Sequence, residues 1–354
     1  MNATPHSEPA RYLVTGASGF VAMHLIDLLL GRGHRVRGTL RRMDAAQSLI
    51  AVLGRDRPLG ERLEFVPAQL ERDDGWAAAV EGLDGVFHVA SPVPRKIPIR
   101  DDGMVGSARD GTIRVLEAAR RARIPRVVMT SSIAAIGGGH PQREAPFTEL
   151  DWSVVEPLPP YNKSKTVAEL AAWDYVQAHP DAPELVTINP SFVLGPLLWA
   201  ERSPSLELVA MLLSGKVPLV PDLYFGLVDV RDVAKAHYLA MVAPDAAGKR
   251  FICNNVTWSY LQIAKSLHDY LAPRGIRVPT TRLPSWTIRM GALVSLTLRE
   301  EVAPRLGRKR DFDSSRLRQL LGWEPRGIEE TLQETADSLL AFGLSDLAQR
   351  RPRS

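Results

Sequence analysis

Short apolar runs alternate with segments of helical spacing along the first half of this 354-residue chain. The runs, rich in Val, Leu, Ile and Phe, occupy residues 11–15, 35–40, 63–66, 85–90, 126–130 and 185–189. Between them, apolar positions recur every three or four residues, as expected for helices packed on one face. Buried strands that alternate with helices are typical of a parallel sheet covered on both faces. We therefore predict an α/β fold with a doubly wound parallel sheet.

The alternating pattern loosens after Asn189. Proline residues at positions 190, 196, 204, 218 and 221 separate short apolar segments, which predicts a smaller and mostly helical lobe. Within it, residues 228–233 predict the start of a helix, continuing to about residue 245, that packs back on the first lobe. Residues 313–340 predict two helices joined by a turn at the motif LGWEP.

A glycine-containing loop, TGASGFVA, joins the first predicted strand to the first predicted helix. Gly16 permits a tight turn, Gly19 lets a pyrophosphate approach the backbone, and Ala22 lets the helix pack closely on the strand. The amides at the helix start would then bind phosphate oxygens. In this strand–loop–helix context the pattern predicts a Rossmann domain over residues 11–189, with a purely structural turn as the alternative.

The end of the second predicted strand indicates which dinucleotide binds. An acidic residue there would bind the ribose of NAD, whereas a basic residue accommodates the extra phosphate of NADP. The chain reads Thr39-Leu40-Arg41-Arg42-Met43, with no acid before Asp44. A guanidinium can bind a phosphate through two parallel hydrogen bonds. We therefore predict NADP(H) with Arg41 at its phosphate; arginines that are merely solvated are the alternative.

The segment PPYNKSK, residues 159–165, opens another amphipathic helix. Proline suits the first helical position, which needs no amide donor. Tyr161 and Lys165 then lie one turn apart on the same helical face. An ammonium near a phenol favours the phenolate and lowers the pKa of the phenol. The pair is therefore a candidate for proton transfer, and an incidental helical contact is the alternative.

Six motifs in a fixed order suggest a family. They are TGASGFVA, VFHVASP at 86–92, VVMTSS at 127–132, YNKSK at 161–165, INPSFVLGP at 188–196 and VDVRDVAKAH at 228–237. Together they resemble the extended short-chain dehydrogenases/reductases, in particular the dihydroflavonol-reductase-like branch of ketone and aldehyde reductases. The resemblance covers nearly the whole chain and implies that residues 190–354 form a substrate-binding lobe.

The resemblance implies a Ser-Tyr-Lys catalytic site. Tyr161 would give its phenolic proton to the carbonyl oxygen of the substrate while NADPH delivers hydride to the carbon. Lys165 matches the lysine that also binds the nicotinamide ribose, and Ser132 matches the serine that orients the carbonyl. The neighbouring Ser131 remains an alternative to Ser132.

The same resemblance implies a wider set of cofactor contacts. These are Gly16, Ser18, Gly19, Phe20, Val21, Arg41, Gln69, Leu70, Val89, Ala90, Ser91, Tyr161, Lys165, Pro190, Val193 and Ser205.

Two departures from the family pattern bear on ligands. Gln69 stands where the family usually has an aspartate near the adenine, although its amide can still form hydrogen bonds. Ile136 and the following Gly-Gly-Gly stand where plant flavonoid reductases carry a substrate-binding asparagine. This argues against a flavonoid held in the same way. The three glycines predict either an adaptable loop beside the site or a mobile surface turn.

Composition excludes several function classes. The net charge is +4, and the densest basic cluster, within residues 305–310, has no interleaved aromatic residues, so no nucleic-acid partner is expected. Cys253 is the sole cysteine, which excludes an internal disulfide and predicts a buried small hydrophobe. The histidines lack the spacing of metal ligands, so no metal is expected.

Targeting signals are not apparent in the sequence. Residues 1–10 are polar and predict a disordered tail rather than a signal peptide. Residues 290–298, the longest apolar stretch near the C-terminus, are too few to cross a bilayer. These observations predict a cytoplasmic protein with no membrane partner, while monomer and homodimer both remain open.

The leading hypothesis is an NADPH-dependent reductase of a ketone or aldehyde, reversible as an alcohol dehydrogenase. Residues 196–213 and 283–296 are rich in Leu, Trp and Met; if they line a pocket rather than form core, they favour a hydrophobic or aromatic substrate. A hydroxysteroid dehydrogenase or a nucleotide-sugar epimerase or dehydratase would use the same scaffold. A non-catalytic dinucleotide sensor is a further alternative, but such proteins usually lack the Tyr-x-x-x-Lys pair.

Overall fold

The computed structural model describes residues 9–92, 103–156, 158–200, 203–215 and 218–344. The predicted tail therefore lies, up to residue 8, outside the described residues. The strands are β1 Arg11–Val14, β2 Arg35–Leu40, β3 Leu63–Pro67, β4 Gly85–His88, β5 Arg126–Thr130, β6 Glu184–Pro190, β7 Phe192–Leu194, β8 Tyr224–Asp229, β9 Arg250–Cys253 and β10 Val256–Ser259. The helices are α1 Phe20–Gly31, α2 Ala46–Leu53, α3 Trp76–Val80, α4 Met104–Arg121, α5 Pro160–Ala178, α6 Pro204–Leu213, α7 Val230–Val242, α8 Tyr260–Leu271, α9 Ser285–Gly291, α10 Ser315–Leu321 and α11 Ile328–Ala341.

In the described part of the chain, a seven-stranded sheet has the order β3-β2-β1-β4-β5-β6-β9. Every neighbouring pair in it is parallel. The six strands predicted from the sequence are β1 to β6. The seventh, β9, comes from beyond residue 189 and pairs with β6, Thr187 lying opposite Arg250. The predicted doubly wound parallel sheet is confirmed.

Alternating side chains of the strands build two cores, one on each face of the sheet. Val14 and Val128 face a core completed by α1, α2 and α7. Leu13 and Val127, their neighbours in sequence, face the opposite core with α3, α4 and α5. Because both faces are covered, the strands read as nearly continuous apolar runs rather than as alternating ones. Cys253 is fully buried, as predicted.

The parallel arrangement brings the carboxyl ends of all seven strands to one edge of the sheet. The strand order reverses between β1 and β4, because β2 and β3 lie on one side and β5 and β6 on the other. Ligands of open α/β sheets bind in the crevice at such a reversal.

The smaller lobe contains a second sheet that was not predicted from the sequence. Its strands have the order β10-β8-β7. Val228 and Asp229 end β8 and pair with Val193 and Leu194 of β7, so the helix predicted from residue 228 begins at Val230. That helix, α7, packs on α1. The two predicted C-terminal helices are confirmed as α10 and α11. The division of domains at residue 189 stays a prediction.

Searched over the described residues, the helices include none that is both long enough and apolar enough to traverse a lipid bilayer.

Candidate active site

The loop after β1 turns sharply at Gly16, whose φ is +66°. A Cβ atom at this position would lie 3.0 Å from the Cβ atom of Ala90, so a side chain would be crowded as well as strained by the positive φ. The Gly16 amide donates to Thr39 Oγ1 at 3.0 Å, and the Gly19 amide donates to the Gly16 carbonyl at 2.9 Å. The predicted tight turn is thus present between β1 and α1.

The start of α1 suits a dinucleotide phosphate. Gly19 is the N-cap of α1 and has no side chain that could accept from the first-turn amides. A Cβ atom there would meet the Gly16 carbonyl oxygen at 3.2 Å. The amides of the first turn therefore remain available to phosphate oxygens at the positive end of the helix dipole.

Arg41 and Arg42 follow β2 and are exposed. Arg42 forms an ion pair with Asp44 at 3.1 Å. The backbone carbonyl of Arg41 accepts a hydrogen bond from Gln69 Nε2 at 3.4 Å, which joins the ends of β2 and β3. The residues present therefore fit NADP(H): a glycine turn, a free helix start and an exposed guanidinium lie at one sheet edge.

Ser132, Tyr161 and Lys165 come together where β5 ends and α5 begins. Ser132 follows β5, and its hydroxyl accepts the Ala134 amide at 3.1 Å, donates to the Pro190 carbonyl at 3.5 Å and lies close enough to the Tyr161 phenol to lower its pKa. Tyr161 is the second residue of α5, directly after Pro160. Lys165 lies one turn further on the same face and is buried.

The two neighbouring serines have different partners. The Ser131 hydroxyl is buried and donates to Glu169 Oε2 at 2.5 Å. Ser132 is half-buried and faces Tyr161 instead. This contrast favours Ser132 over Ser131 as the serine next to the phenol.

Burial dominates the pKa values of the pair. It raises the pKa of Tyr161, and the hydrogen bond with Ser132 opposes that rise. Burial also lowers the pKa of Lys165 to about 8, and the charge of Glu169 opposes this change. In the protein alone the pKa of the phenol is therefore raised, which is opposite to the lowering expected from Lys165.

The remaining predicted contacts follow the ends of other strands. Those at the same sheet edge as the glycine loop are Leu70 after β3, Val89, Ala90 and Ser91 after β4 and Pro190 at the end of β6, whereas Val193 lies in β7 of the second sheet. Ser18, Phe20 and Val21 belong to the glycine loop and the first turn of α1. Ser205 is the second residue of α6, in the smaller lobe. The contacts of all these residues with a cofactor stay predictions.

A buried polar network behind Lys165 was not predicted from the sequence. Its central residue is Glu169, which is fully buried and forms an ion pair with Arg250 at 2.8 Å. The sequence did hold one signal, because Glu169 lies four residues after Lys165 on the same helical stripe as Tyr161. An acid at a core-facing helical position needs hydrogen-bond or ion-pair partners. Arg250 could not be identified as that partner from the sequence, because it lies 81 residues away.

The three glycines after Ile136 form a packed loop. Gly137 and Gly138 are buried, and Cβ atoms there would lie 3.0 Å from the Phe312 ring and 2.8 Å from the Leu158 side chain. The Gly138 amide donates to Ser153 Oγ at 2.6 Å. Close packing and backbone hydrogen bonds thus explain these glycines better than an open turn does.

The two apolar segments differ in their surroundings. In the first, Leu206, Val209 and Leu212 are buried in the core of the smaller lobe. In the second, Trp286 and Leu293 are exposed. The first segment therefore contributes mainly core, which was the alternative to a pocket lining.

Comparison with known proteins agrees with this geometry. Residues 12–254 match the model of the NAD dependent epimerase/dehydratase family. Cinnamoyl-CoA reductase CAD2 of Medicago truncatula is 35% identical over 264 residues, covering 72% of this chain and 79% of that protein. The NADPH-dependent methylglyoxal reductase of Saccharomyces cerevisiae is 27% identical and covers 93% of this chain and 98% of its own length.

A solved structure resembles the whole fold. The yeast methylglyoxal/isovaleraldehyde reductase complexed with NADPH has a TM-score of 0.77 at 27% identity, covering 95% of this chain and 99% of that one. The relatives are reductases of carbonyl compounds, and the yeast enzyme is NADPH-dependent. These comparisons confirm two predictions: that the chain is an NADP-dependent oxidoreductase, and that it resembles the extended short-chain dehydrogenases/reductases. The chain belongs to the NAD dependent epimerase/dehydratase family and, within it, is related to reductases.

Proposed function

We propose that this protein reduces a ketone or an aldehyde with NADPH and catalyses the reverse oxidation of the alcohol. The single observation that carries the proposal is the convergence of Ser132 on the Tyr161 phenol, with buried Lys165 one helical turn away. This arrangement lies at the sheet edge where α1 presents its free amides. The reductase names of the relatives support the same reaction class.

The residues of this chain would divide the work as follows. Tyr161 gives its phenolic proton to the carbonyl oxygen, and Ser132 donates a hydrogen bond that orients the same oxygen. Lys165 supplies a positive charge beside the phenol and a donor to the nicotinamide ribose. Bound NADPH supplies the hydride. A carbonyl oxygen that gains negative charge is stabilised by donors directed at it, and a phenol and a hydroxyl placed close together can both reach the same oxygen.

The cofactor would be held along the sheet edge. Gly16 and Gly19 bring the backbone close to the pyrophosphate, and the first turn of α1 binds it. Arg41 binds the phosphate that distinguishes NADP from NAD, and Gln69 lies next to Arg41 on the side of the adenine. Val89, Ala90 and the residues near Pro190 would complete the walls.

The substrate we propose is a hydrophobic or aromatic carbonyl compound. Ile133 follows Ser132, and Phe192 follows the predicted nicotinamide contact Pro190 by two residues. Both side chains are only partly buried, so apolar surface remains next to the site. One relative is named for a cinnamoyl thioester and another for methylglyoxal, which sets the range of sizes to be tested.

The test is NADPH consumption against a panel of small aldehydes, aromatic aldehydes, aryl ketones and cinnamoyl-CoA, with NADH in parallel. We expect turnover with NADPH, alcohol as the product, and a weaker reaction with NADH. A panel of UDP-sugars is included, because an epimerase would convert them without net consumption of cofactor. Epimerisation without any carbonyl reduction would contradict the proposal.

A further inference from the structure

Glu169 is a buried acid that accepts five hydrogen bonds. Four come from three strands or their ends, and the fifth comes from Trp173 Nε1 of its own helix, which donates to Oε1 at 3.4 Å. Its Oε2 atom accepts from the Ser131 hydroxyl at 2.5 Å and from Asn189 Nδ2 at 2.7 Å. Its Oε1 atom accepts from the Thr187 hydroxyl at 2.9 Å and from Arg250 Nε at 2.8 Å. A carboxylate removed from water is retained when it is satisfied in this way.

The donors adjoin residues of the proposed site. Ser131 precedes Ser132, and Asn189 precedes Pro190. Asn189 also donates to the backbone carbonyl of Ser132 at 3.2 Å. The carboxylate of Glu169 therefore links the ends of β5 and β6, which carry two of the residues expected to contact substrate and cofactor.

The charged and titratable groups around Lys165 are few among the described residues. Glu169 and Tyr161 lie one turn away on its own helix, in opposite directions. From β4, His88 lies near Lys165, and burial together with the charge of Lys165 lowers the pKa of His88 to about 3, so it is neutral near pH 7. From β9, Arg250 is engaged by Glu169. Within this set, Glu169 is the negative charge that can balance a buried ammonium.

We propose that Glu169 is a positioning residue for the reaction proposed above: its carboxylate keeps Lys165 protonated and holds in place the strand ends that carry Ser132 and Pro190. The inference rests on the proposed function, because it assigns Lys165 a role in binding NADPH. Glu169 acts through Lys165 and through the strand ends, and it does not touch the reacting atoms.

The test is the pH dependence of NADPH affinity, measured by NADPH fluorescence without substrate. A protonated Lys165 favours the cofactor, so affinity falls at alkaline pH as Lys165 loses its proton. In Glu169→Gln the midpoint of this fall should move to lower pH by about one unit or more, because a nearby opposite charge is lost.

Arg250→Met is the matched control. It breaks the same buried ion pair as Glu169→Gln but leaves the negative charge beside Lys165 in place. We expect its midpoint to stay at the wild-type value or to move to higher pH. Equal downward shifts in the two variants would mean that disruption of packing, rather than charge, causes the change, and unchanged midpoints in both would also overturn the proposal.

Glu169→Gln leaves Arg250 buried without its partner, so this variant could fail to fold. Thermal melting identifies that outcome. The double variant Glu169→Gln/Arg250→Met then replaces the ion pair by neutral side chains of similar size, a change that proteins often accept. A downward midpoint shift in the double variant supports the proposal, and a wild-type midpoint overturns it.

The readout also separates this inference from the proposed function. A wild-type protein that binds NADPH but reduces no carbonyl compound would contradict the proposed function, while the midpoints would still test the charge of Glu169. If the protein does reduce a carbonyl compound, kcat/KM of Glu169→Gln should approach the wild-type value at low pH, where Lys165 is protonated in both proteins. A uniform loss at every pH would contradict the charge role.

Discussion

Two hydrogen-bonded polar clusters, each built around one or two buried acids, occupy different parts of the molecule. The Glu169 cluster, defined above, consists of Ser131, Glu169, Thr187, Asn189 and Arg250. The Asp229 cluster lies at the start of α7 and consists of Asp229, Arg231, Asp232, Arg326 and Thr331. The acids of both clusters are almost completely buried and hydrogen-bonded.

The clusters differ in what they adjoin. Asp229 accepts from the Arg231 amide at 2.7 Å and from the Thr331 hydroxyl at 2.8 Å, so it caps α7 and ties it to α11. Glu169 adjoins a buried ammonium, Lys165, and the strand end that carries Ser132. A buried charge by itself therefore indicates only a satisfied hydrogen-bond network. What distinguishes the Glu169 cluster is its position beside Lys165 and the proposed proton donor Tyr161.

The sharpest contrast is expected between Ser131, inside the Glu169 cluster, and its neighbour Ser132, just outside it. Ser132→Ala should lower kcat/KM by about 10²-fold or more, because it removes a donor to the developing oxyanion. Ser131→Ala removes a donor to Glu169 and should lower the free energy of unfolding by about 1 kcal/mol with little loss of kcat/KM. Steady-state kinetics and urea unfolding of both variants check this, and the reverse pattern would reassign the serine.

Asp229→Asn should affect stability but not chemistry. Loss of the charge leaves Arg231 with a weaker partner and should lower the free energy of unfolding by about 3 kcal/mol. Urea unfolding measures the loss, and NADPH fluorescence on the folded variant should give the wild-type Kd. A large change in the Kd for NADPH without destabilisation would contradict the assignment of the Asp229 cluster to stability alone.

Arg41 provides an exposed charge for comparison with the buried ones. Arg41→Ser should weaken NADPH binding by about tenfold to 100-fold, because a charged hydrogen bond to phosphate contributes about 1.5–3 kcal/mol. NADH binding should not change, and neither should the melting temperature. Calorimetric titration with both cofactors decides this, and an equal loss for NADH would show that Arg41 does not read the phosphate.

Buried histidines should give the smallest effect, a mild acid sensitivity in both regions. Burial lowers the pKa of His88, beside Lys165, to about 3 and that of His24, near Asp229, to about 4. In the unfolded chain both titrate near pH 6.5, so the unfolded state binds more protons below that pH. Stability is therefore complete above about pH 6.5 and is lost as the pH falls towards 4 and 3.

Between pH 7 and pH 6 each of these histidines should lower the free energy of unfolding by about 0.7 kcal/mol. Urea unfolding at the two pH values measures the fall. His24→Gln should reduce the fall while keeping a polar side chain near the Pro196 carbonyl. A fall that is unchanged in the variant would contradict the assignment to His24.

The parts of the fold that could be predicted are those whose signals are local. The strands β1 to β6 are apolar runs between helical patterns, and the turn at Gly16 follows directly from a glycine that needs a positive φ. The strands β7, β8 and β10 were not predicted, because they are short and their pairing joins segments far apart in sequence. The same reason kept β9 out of the predicted sheet.

The candidate site also contains residues that could be predicted from the sequence and residues that could not. Tyr161 and Lys165 are visible from helical spacing, whereas the partner of Glu169 lies 81 residues away at Arg250. The choice between Ser131 and Ser132 depends on which way each side chain points after β5 ends. Only their contacts distinguish them, since Ser131 donates to Glu169 and Ser132 lies beside Tyr161. Burial also reversed the pKa shift expected for Tyr161, because spacing alone does not reveal how deeply the phenol lies.

The most direct test of the proposed chemistry compares the wild-type protein with Tyr161→Phe in NADPH consumption, using the best aldehyde or ketone of the panel. The variant lacks only the phenolic oxygen, so it should still bind NADPH while kcat falls by about 10²–10⁴-fold, a far larger change than any in the Kd. Turnover that persists at the wild-type rate, with NADPH bound equally well, would contradict the role of Tyr161 as proton donor.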